Sequence, residues 1–455
     1  MFRNRLASGP WNIVLLGLVL CDCSDAMGPT SIGPGRLGVL KITVDSLTLA
    51  SPPAAAPSSW NAHQPQMILA ARASGTLAAW NGKDGAVHVT SITPAKPDVV
   101  FAGTKLGGFA LTATGFGFTA VQDPKLSVVG VNEDGSEAFR TLLIGGVPKE
   151  QKGSKFDPMN FGSSRLAFAG STYVAYYAHQ QNFGDATPDV HQGDMLVNLD
   201  AAGAKKTGGW DWGTSHSLDQ RIIHDGQAFV TVSLGDCYPK GITFERVGVL
   251  RKVTLLAVDG DCGGKANGIL GGVAKVSDIY AVAFGTPQGR SAQDAGVMFV
   301  NAQGKVRRTA WLTILSGGAK KSVTRVNTAA FGTDLLMAWI VNDQATKKDS
   351  TYIAVMDTTG KILLGPDNID ESFSYGDDFM NFPNGDVGWA YARNDKMRVV
   401  RVVQGASSIA QPGLLRRARP EAWLGSGGLA FPTFDIRGRL HAPGNLRAKA
   451  AFYLR

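Results

Sequence analysis

The residues best suited to do chemistry are concentrated in segment 213–221 and just after it. They supply a histidine, two carboxylates, a guanidinium and a phenol: His216, Asp219, Arg221, Asp236 and Tyr238. Such a set can bind an anionic ligand, or provide the acid–base groups of a hydrolase or lyase. We favour a third interpretation, a buried hydrogen-bond network that fixes a strand to its neighbours. A nucleophilic triad is excluded at Ser215, His216 and Asp219, because triads are assembled from well separated segments.

Two tryptophans just before this segment, Trp210 and Trp212, are the second candidate binding feature. Residues two apart on a strand share a face, so the pair could stack on a sugar ring. Packing inside the protein is the simpler interpretation, because large aromatic side chains dominate protein cores.

Two groups of possible metal ligands occur in predicted loops. The first contains His179, Asp185, Asp189, His191 and Asp194, and the second contains Asp367, Asp370, Glu371, Asp377 and Asp378. The first spacing matches no established ligand pattern, whereas the oxygen-only second group suits calcium, the one cofactor for which the sequence offers such ligands. For both groups we favour solvated loops, and we predict no metal site.

The N-terminus has the features of an export signal. Arg3 and Arg5 precede an apolar run, WNIVLLGLVL, that is too short to span a bilayer comfortably. Two processing routes fit: lipidation of Cys21 after the lipobox-like Leu18-Val19-Leu20, and cleavage before Met27. In either case the mature protein leaves the cytoplasm, to become periplasmic, an outer-membrane lipoprotein or secreted. In an exported chain, Cys237 and Cys262 would form a disulfide; the alternative is two buried thiols.

Repeats indicate the architecture that must position these residues. A strand rich in small and aromatic residues occurs seven times: GTLAAW (75–80), FGFTAV (116–121), TYVAYYA (172–178), AFVTVSL (228–234), IYAVAFG (279–285), DLLMAWI (334–340) and DVGWAYA (386–392). A second pattern follows several copies, an apolar strand ending in Asn or Asp, two residues and Gly. It occurs at 126–135, 195–203, 297–304 and 352–360, with a looser copy at 254–263. Glycine at the end of such a turn indicates a hairpin, because it accepts positive φ.

Each repeat therefore predicts three or four short antiparallel strands, which cannot bury both faces alone. Seven such sheets arranged radially cover one another, so we predict an all-β fold, a seven-bladed β-propeller. Two unrelated β-sandwiches are the alternative. In repeat period and strand order, residues 64–404 resemble bacterial secreted or lipoprotein seven-bladed β-propellers. The Gly-His and Trp-Asp marks of WD40 blades do not recur, and the resemblance points to no characterised family.

The predicted organisation has four parts. Residues 1–26 are the leader, 27–62 hold one strand and a Pro/Ala/Ser linker, 63–404 form the propeller and 405–455 form a basic tail. The strand at 40–49 could complete the last blade or stand apart. In the tail, only 428–436 could be a strand, and Pro432 would confine it to an edge.

Charge and motifs limit the function. The net charge is +8, but the tail carries eight basic and two acidic residues, so the ring is nearly neutral. We therefore predict no nucleic-acid partner, and membrane contact only through a lipid anchor or the tail. P-loop, H-E-x-x-H and G-x-S-x-G motifs are absent, and the glycines of 33–38 lie outside any βαβ unit. We expect a non-enzymatic binding or scaffold module at the cell envelope with a protein or glycan ligand. The alternative is an extracellular hydrolase or lyase.

Overall fold

A computed structural model describes residues 40–54, 65–122, 125–144, 164–182, 190–236, 240–257, 268–315, 320–404, 433–434 and 440–441. The predicted leader, Cys21, Asp185, Asp189, Cys237, Tyr238 and Cys262 lie outside these ranges, as does most of the tail. Within the described part of the chain, no helix is long and apolar enough to cross a membrane.

The fold is an all-β propeller of seven four-stranded antiparallel sheets, which confirms the predicted architecture. First strands contact one another around the channel: β2 (Met67–Arg72), β6 (Lys105–Leu111), β10 (Ser164–Ala169), β14 (Ser217–His224), β18 (Ile269–Val276), β22 (Lys321–Phe331) and β26 (Met380–Asn381). Second strands are β3 (Gly75–Asn81), β7 (Phe116–Gln122), β11 (Thr172–Asn182), β15 (Phe229–Asp236), β19 (Ile279–Thr286), β23 (Asp334–Asp343) and β27 (Val387–Arg393).

Third strands are β4 (Val87–Thr93), β8 (Lys125–Val131), β12 (Val190–Asp200), β16 (Lys240–Arg246), β20 (Asp294–Asn301), β24 (Lys348–Met356) and β28 (Lys396–Val402). Fourth, outermost strands are β5 (Lys96–Phe101), β9 (Glu137–Ile144), β13 (Lys205–Trp210), β17 (Leu250–Ala257), β21 (Val306–Trp311), β25 (Ile362–Ile369) and, for the last blade, β1 (Ile42–Thr48). A further pair, β29 (Thr433–Phe434) with β30 (Leu440–His441), lies in the tail.

The N-terminal strand closes the ring. β1 pairs antiparallel with β28, from Ile42 opposite Val402 to Thr48 opposite Lys396. Blade 7 thus joins the two ends of the propeller. Of the two predicted alternatives for this strand, it completes the last blade and does not stand apart.

The seven repeated apolar segments form the second strands, which have neighbouring blades on both faces. All but the first residue of β19 is buried, for example, whereas the outer β21 is half-buried or exposed along its length. Seven apolar clusters among the described residues fill the seven interfaces between adjacent blades. The cluster between blades 3 and 4 has the fewest buried members, Val174, Tyr176, Leu196 and Ile222.

The predicted turns connect third to fourth strands in four blades. Gly135, Gly203, Gly304 and Gly360 all have positive φ. In the last turn the carboxylate of Asp357 accepts hydrogen bonds from the backbone N–H groups of Thr359 and Lys361. The looser copy at 254–263 was wrongly grouped with these turns, because its apolar residues belong to the fourth strand β17.

Candidate functional site

One face of the ring carries almost every sequence-predicted candidate. Because the strands of each blade alternate in direction, this face holds the blade-to-blade connections and the turns between second and third strands. We call it the connection face. His216 lies in the connection between blades 3 and 4, Asp236 ends β15, and 370–378 belongs to the connection between blades 6 and 7.

The connection 372–379, which we call the channel segment, enters the mouth of the central channel. Its carbonyl oxygens accept hydrogen bonds from Arg325 (to Phe373, 2.9 Å), Arg165 (to Gly376, 2.8 Å) and Asn327 (to Asp377, 2.8 Å). The hydroxyl of Tyr375 accepts a bond of 3.3 Å from the backbone N–H of Leu270, and Arg221 reaches the carbonyl of Tyr375 at 3.4 Å. The channel segment is therefore held by first strands of blades 3, 4, 5 and 6.

Blade 1 binds the same segment through a buried carboxyl. Asp377 is 1% exposed, and its Oδ1 accepts bonds from the backbone N–H groups of Gln66 (3.0 Å) and Met67 (3.5 Å). Burial raises the pKa of Asp377 to about 7, although the backbone donors and Arg165 favour the charged form. This carboxyl therefore titrates near neutrality inside the ring.

Asp219 and Arg221, two of the predicted site residues, meet Arg165 of blade 3 and Asp378 of the channel segment in a charge cluster; three of the four side chains are buried, and that of Asp378 is 45% exposed. Asp219 and Arg221 are 0% and 1% exposed and form a direct ion pair. Asp219 also lies 3.7 Å from Arg165, and Asp378 lies 3.1 Å from Arg221 and 3.5 Å from Arg165. Two cations and two carboxylates thus neutralise one another.

The pKa directions of the two arginines agree with this geometry. Burial and the neighbouring Arg221 lower the pKa of Arg165. Burial also acts to lower the pKa of Arg221, but Asp219 and Asp378 outweigh it, so this pKa is raised. A cavity of about 250 Å³ lies beside the cluster, and its wall includes Arg165, Arg221 and Asp378.

His216 is not part of this cluster. It precedes β14 with a φ of +52° and is half-buried, next to Ser215, which bridges to Gly193 of blade 3. The structure therefore brings Asp219 and Arg221 together and leaves His216 in the adjoining connection.

Trp210 packs between blades 3 and 4, as the packing interpretation predicted. Its ring meets Tyr176 edge-on, and its Nε1 donates a 2.9 Å bond to Asp194. Asp194 also accepts bonds from the hydroxyl of Tyr176 (2.9 Å) and the backbone N–H of Thr214 (3.0 Å). Burial raises the pKa of Asp194. This carboxylate therefore stabilises the interface that has the fewest buried apolar residues.

Trp212, His179 and His191 lie at the hairpin of β11 and β12 in blade 3. Trp212 meets the ring of His179 edge-on, and His179 is 2% exposed. His191 lies on β12 opposite Gln181 of β11, so the two strands extend into the stretch expected to be a loop.

The acidic stretch of blades 6 and 7 is bound to protein groups. Asp367 accepts the backbone N–H of Leu40, Asp370 pairs with Arg393 at 3.3 Å, and Glu371 pairs with Arg398 at 2.5 Å. The side chain of Asp370 is 92% exposed, as a solvated loop predicts, whereas Asp377 is buried. Among the described residues, no three His, Cys, Asp or Glu side chains are grouped so that they could hold a metal ion.

A larger cleft opens on the connection face where blades 1, 6 and 7 meet the channel segment. Its volume is about 700 Å³, and its polar lining includes Lys83, Asp349, Asp370, Tyr391, Arg393 and Asp395. Ion pairs hold several of these groups in place: Lys83 with Asp395 at 2.7 Å, and Arg393 with Asp370. The hydroxyl of Tyr391 donates a 2.7 Å bond to Glu371.

Sequence reasoning did not find the channel segment, the roles of Arg165, Arg325 and Asn327, or the cleft. One local signal existed, the paired glycines 107–108 and 271–272 in first strands. A Cβ at Gly272 would collide with Asn327 Oδ1, and one at Gly108 would collide with the backbone of Leu166. Paired glycines in a strand indicate such a close approach.

No protein-family model matches this chain, and no curated protein does. Among solved structures, the chain is similar to a component of the Mitotic Checkpoint Complex, with 11% identity, a TM-score of 0.46, and coverage of 77% of this chain and 97% of that one. It is also similar to the WD40 domain of SCAP from fission yeast, with 10% identity, a TM-score of 0.40, and coverage of 81% and 88%. A third similarity is to BBS1N in complex with ARL6DN, with 9% identity, a TM-score of 0.40, and coverage of 80% and 99%. At such identities nothing about ligand or activity transfers to this chain.

Proposed function

We propose that this protein is a non-enzymatic binding module and that its ligand site is the cleft between blades 1, 6 and 7. The observation that carries the proposal is the cleft itself, about 700 Å³ of space on the connection face with both polar and apolar groups in its wall. Ligand sites commonly enclose about 300–1,000 Å³ and hold a few fixed polar groups. This cleft meets both conditions.

The charges of the cleft indicate the chemistry of its ligand. Its lining holds three cations and four carboxylates, and two of the cations are paired within it, Lys83 with Asp395 and Arg393 with Asp370. A polar ligand without a large net charge fits such a lining, because it can exchange hydrogen bonds with paired groups without leaving one charge uncompensated.

A peptide segment of a protein partner fits better than a sugar. The aromatic residues lining the cleft are Phe373, which is 2% exposed, and Tyr391, which is 6% exposed. Neither therefore offers an open face on which a sugar ring could stack. Peptide backbone donors and acceptors can instead bond to the amide of Asn368 and to the exposed carboxylate of Asp370, both in the lining.

The channel supports a scaffold role and not acid–base catalysis. Asp219, Arg221, Arg165 and Asp378 are bound to one another, and the channel segment is held by five blades. A general acid or base must be free to reach a substrate, whereas Asp219 is fully buried and paired with Arg221, and Asp378, the exposed carboxylate of the cluster, is paired with Arg221 and Arg165. A hydrolase or lyase remains the alternative, and the appearance of peptide cleavage products would distinguish it.

We also propose that the protein acts outside the cytoplasm, at the cell envelope. The support is the basic, then apolar, N-terminal sequence with its two processing options, Cys21 and Met27. Mass spectrometry of the mature N-terminus would identify lipidated Cys21 or a start at Met27, and an uncleaved leader would contradict export. The same spectra would show whether Cys237 and Cys262 form a disulfide.

Selection of a random heptapeptide phage library on the full-length protein tests the cleft. Synthetic copies of selected peptides should lose about tenfold or more in affinity for Arg393→Glu, which places like charges side by side at Asp370. Arg140→Glu is the matched control, because Arg140 is also a partly exposed arginine paired with an acid, Glu137, but on the outer strand of blade 2.

Three outcomes would overturn the proposal. Peptides that bind Arg393→Glu as tightly as the wild type would place the ligand elsewhere. Displacement of the peptides by soluble glycans at lower concentration would assign the cleft to sugars. Cleavage products in the mass spectrum of the incubated peptides, absent from peptides incubated without the protein, would support the enzyme alternative.

A further inference from the structure

The outer strands of the seven blades differ sharply in charge. β13, β17 and β21 each carry two adjacent basic residues and no acidic residue, and they belong to consecutive blades, 3, 4 and 5. The outer strands of blades 1 and 2 balance one basic residue with one acidic residue, and those of blades 6 and 7 carry a single acidic residue each. We call the six cations of blades 3–5 the basic rim: Lys205, Lys206, Arg251, Lys252, Arg307 and Arg308.

The rim is exposed, and two of its members donate hydrogen bonds to uncharged groups. All six residues are exposed. Arg308 donates to the carbonyl of Thr359, and Lys206 donates to the hydroxyl of Thr172 at 3.2 Å, so neither neutralises a carboxylate through these bonds. In blade 2, by contrast, Arg140 is bound to Glu137 on its own strand.

Among the described residues, Lys252 of the rim acts electrostatically on two acids, Glu245 and the buried Asp194. Glu245 of β16 is half-buried, Lys252 acts on it electrostatically, and burial together with Asp194 raises its pKa. One buried and one half-buried carboxylate cannot offset six exposed cations. The ring as a whole is nearly neutral, so the rim concentrates positive charge that is balanced elsewhere on the molecule.

The shape of the rim determines which anion fits. The rim spans the convex outer edge of three blades, so a flat bilayer would touch only part of it, whereas a flexible chain can follow the curve. Single-stranded nucleic acid normally requires exposed aromatic rings for its bases. The aromatic residues of β13, β17 and β21 are Trp210 and Trp311, which are half-buried; Trp210 bonds to Asp194, and Trp311 lies beneath Arg290.

We propose that the basic rim binds a linear anionic polysaccharide, whose repeated carboxylate or sulfate groups match the repeated cations of adjacent blades. Arginine and lysine both bind such groups, arginine in a bidentate manner. This site is separate from the cleft and does not depend on it, because the rim lies on the outer strands of blades 3–5 and the cleft between blades 1, 6 and 7.

The test compares two full-length triple variants of equal net charge. The rim variant is Arg251→Gln, Lys252→Gln and Arg307→Gln, and the control variant is Lys96→Gln, Lys105→Gln and Lys125→Gln, three exposed lysines of blades 1 and 2. Both keep the basic tail. The probes are heparin and alginate, with dissociation constants measured between 0.05 and 0.2 M salt, roughly the range in which charge contacts are most visible.

We expect the rim variant to lose about tenfold or more in affinity for at least one probe. Its affinity should also depend less steeply on salt, because a complex with fewer charge contacts releases fewer counterions when it forms. The control variant should bind as the wild type does. Equal losses in both variants would show that only total charge matters, and no loss in the rim variant would assign binding to the tail; either result overturns the proposal.

Two further probes decide the class of partner. The proposal is also overturned if the rim variant loses binding to vesicles containing phosphatidylglycerol, or to a single-stranded DNA oligonucleotide, but binds both polysaccharides as the wild type does. Binding of the selected peptides by the rim variant should remain unchanged, so failure of the rim proposal and failure of the cleft proposal are distinguishable.

Discussion

Asp377 offers the sharpest test of how the channel segment is held. We expect Asp377→Asn to remove a dependence of stability on pH while keeping the bonds to blade 1. An asparagine Oδ1 can still accept the backbone N–H groups of Gln66 and Met67, which lie 3.0 and 3.5 Å from the present carboxylate oxygen. Only the ionisable proton is lost.

The sign follows from the raised pKa. Burial moves the pKa of Asp377 from 3.8 to about 7 in the folded protein, so the folded state holds a proton that the unfolded chain has released. The contribution to stability is fully present below pH 4, is lost as the pH rises to 7, and is then constant. One pKa unit corresponds to about 1.4 kcal/mol, so the wild type should lose about 2–3 kcal/mol relative to the variant between pH 5 and pH 8.

Urea unfolding of both proteins at pH 5, 6, 7 and 8 measures this difference. Comparing the variant with the wild type cancels the other titrating groups. Asp377→Ala is the control: it should show the same loss of pH dependence, but at lower stability throughout, because it also removes the acceptor of two backbone N–H groups. A difference between wild type and Asp377→Asn that stays constant from pH 5 to pH 8 would refute the reasoning, since it would mean that the carboxyl is not held in a buried, proton-binding state.

Two further predictions concern the charge cluster and ring closure. Asp219→Asn should destabilise the protein by about 3 kcal/mol in urea unfolding, because it leaves buried Arg221 with the partly exposed Asp378 as its remaining ion-pair partner. The double variant Asp219→Asn, Arg221→Leu should recover part of that loss, and equal stability of all three proteins would contradict the buried pair. Val44→Asp should lower the melting temperature by several degrees, because Val44 packs against the apolar cluster between blades 6 and 7. Thr43→Asp, on the exposed side of β1, should leave the melting temperature unchanged. Identical melting temperatures for the two variants would show that β1 does not close the ring.

Local patterns in the sequence were sufficient to predict the blades. The seven apolar segments form the second strands because a strand covered on both faces must be apolar along its whole length, and this is visible in the sequence. The Asn/Asp-x-x-Gly turns were recognisable for a similar reason, since the conformation of Gly203 or Gly360 is a local requirement. The looser copy at 254–263 failed because an apolar strand followed by glycine does not reveal its position in the blade.

The candidate site was predicted only in part. Asp219 and Arg221 were among the predicted site residues, and both lie on the channel-lining strand β14. Their partner Asp378, however, lies far along the chain from Asp219, in a stretch that we expected to be solvated. Nothing in the residues around Asp377 distinguishes a turn in water from a segment bonded to Gln66 on the other side of the ring.

The sequence by itself determined the number of blades, the strands and several turns, because these depend on periodicity and local conformation. The tertiary structure alone decided how the ring closes through β1, which carboxylates are buried in the channel, where the cleft opens, and that three pairs of basic residues lie together on one outer edge. The physical reason is that each of these features joins residues from different blades. In a ring of seven similar sheets, such contacts are set by the closure of the whole, and no single repeat encodes them.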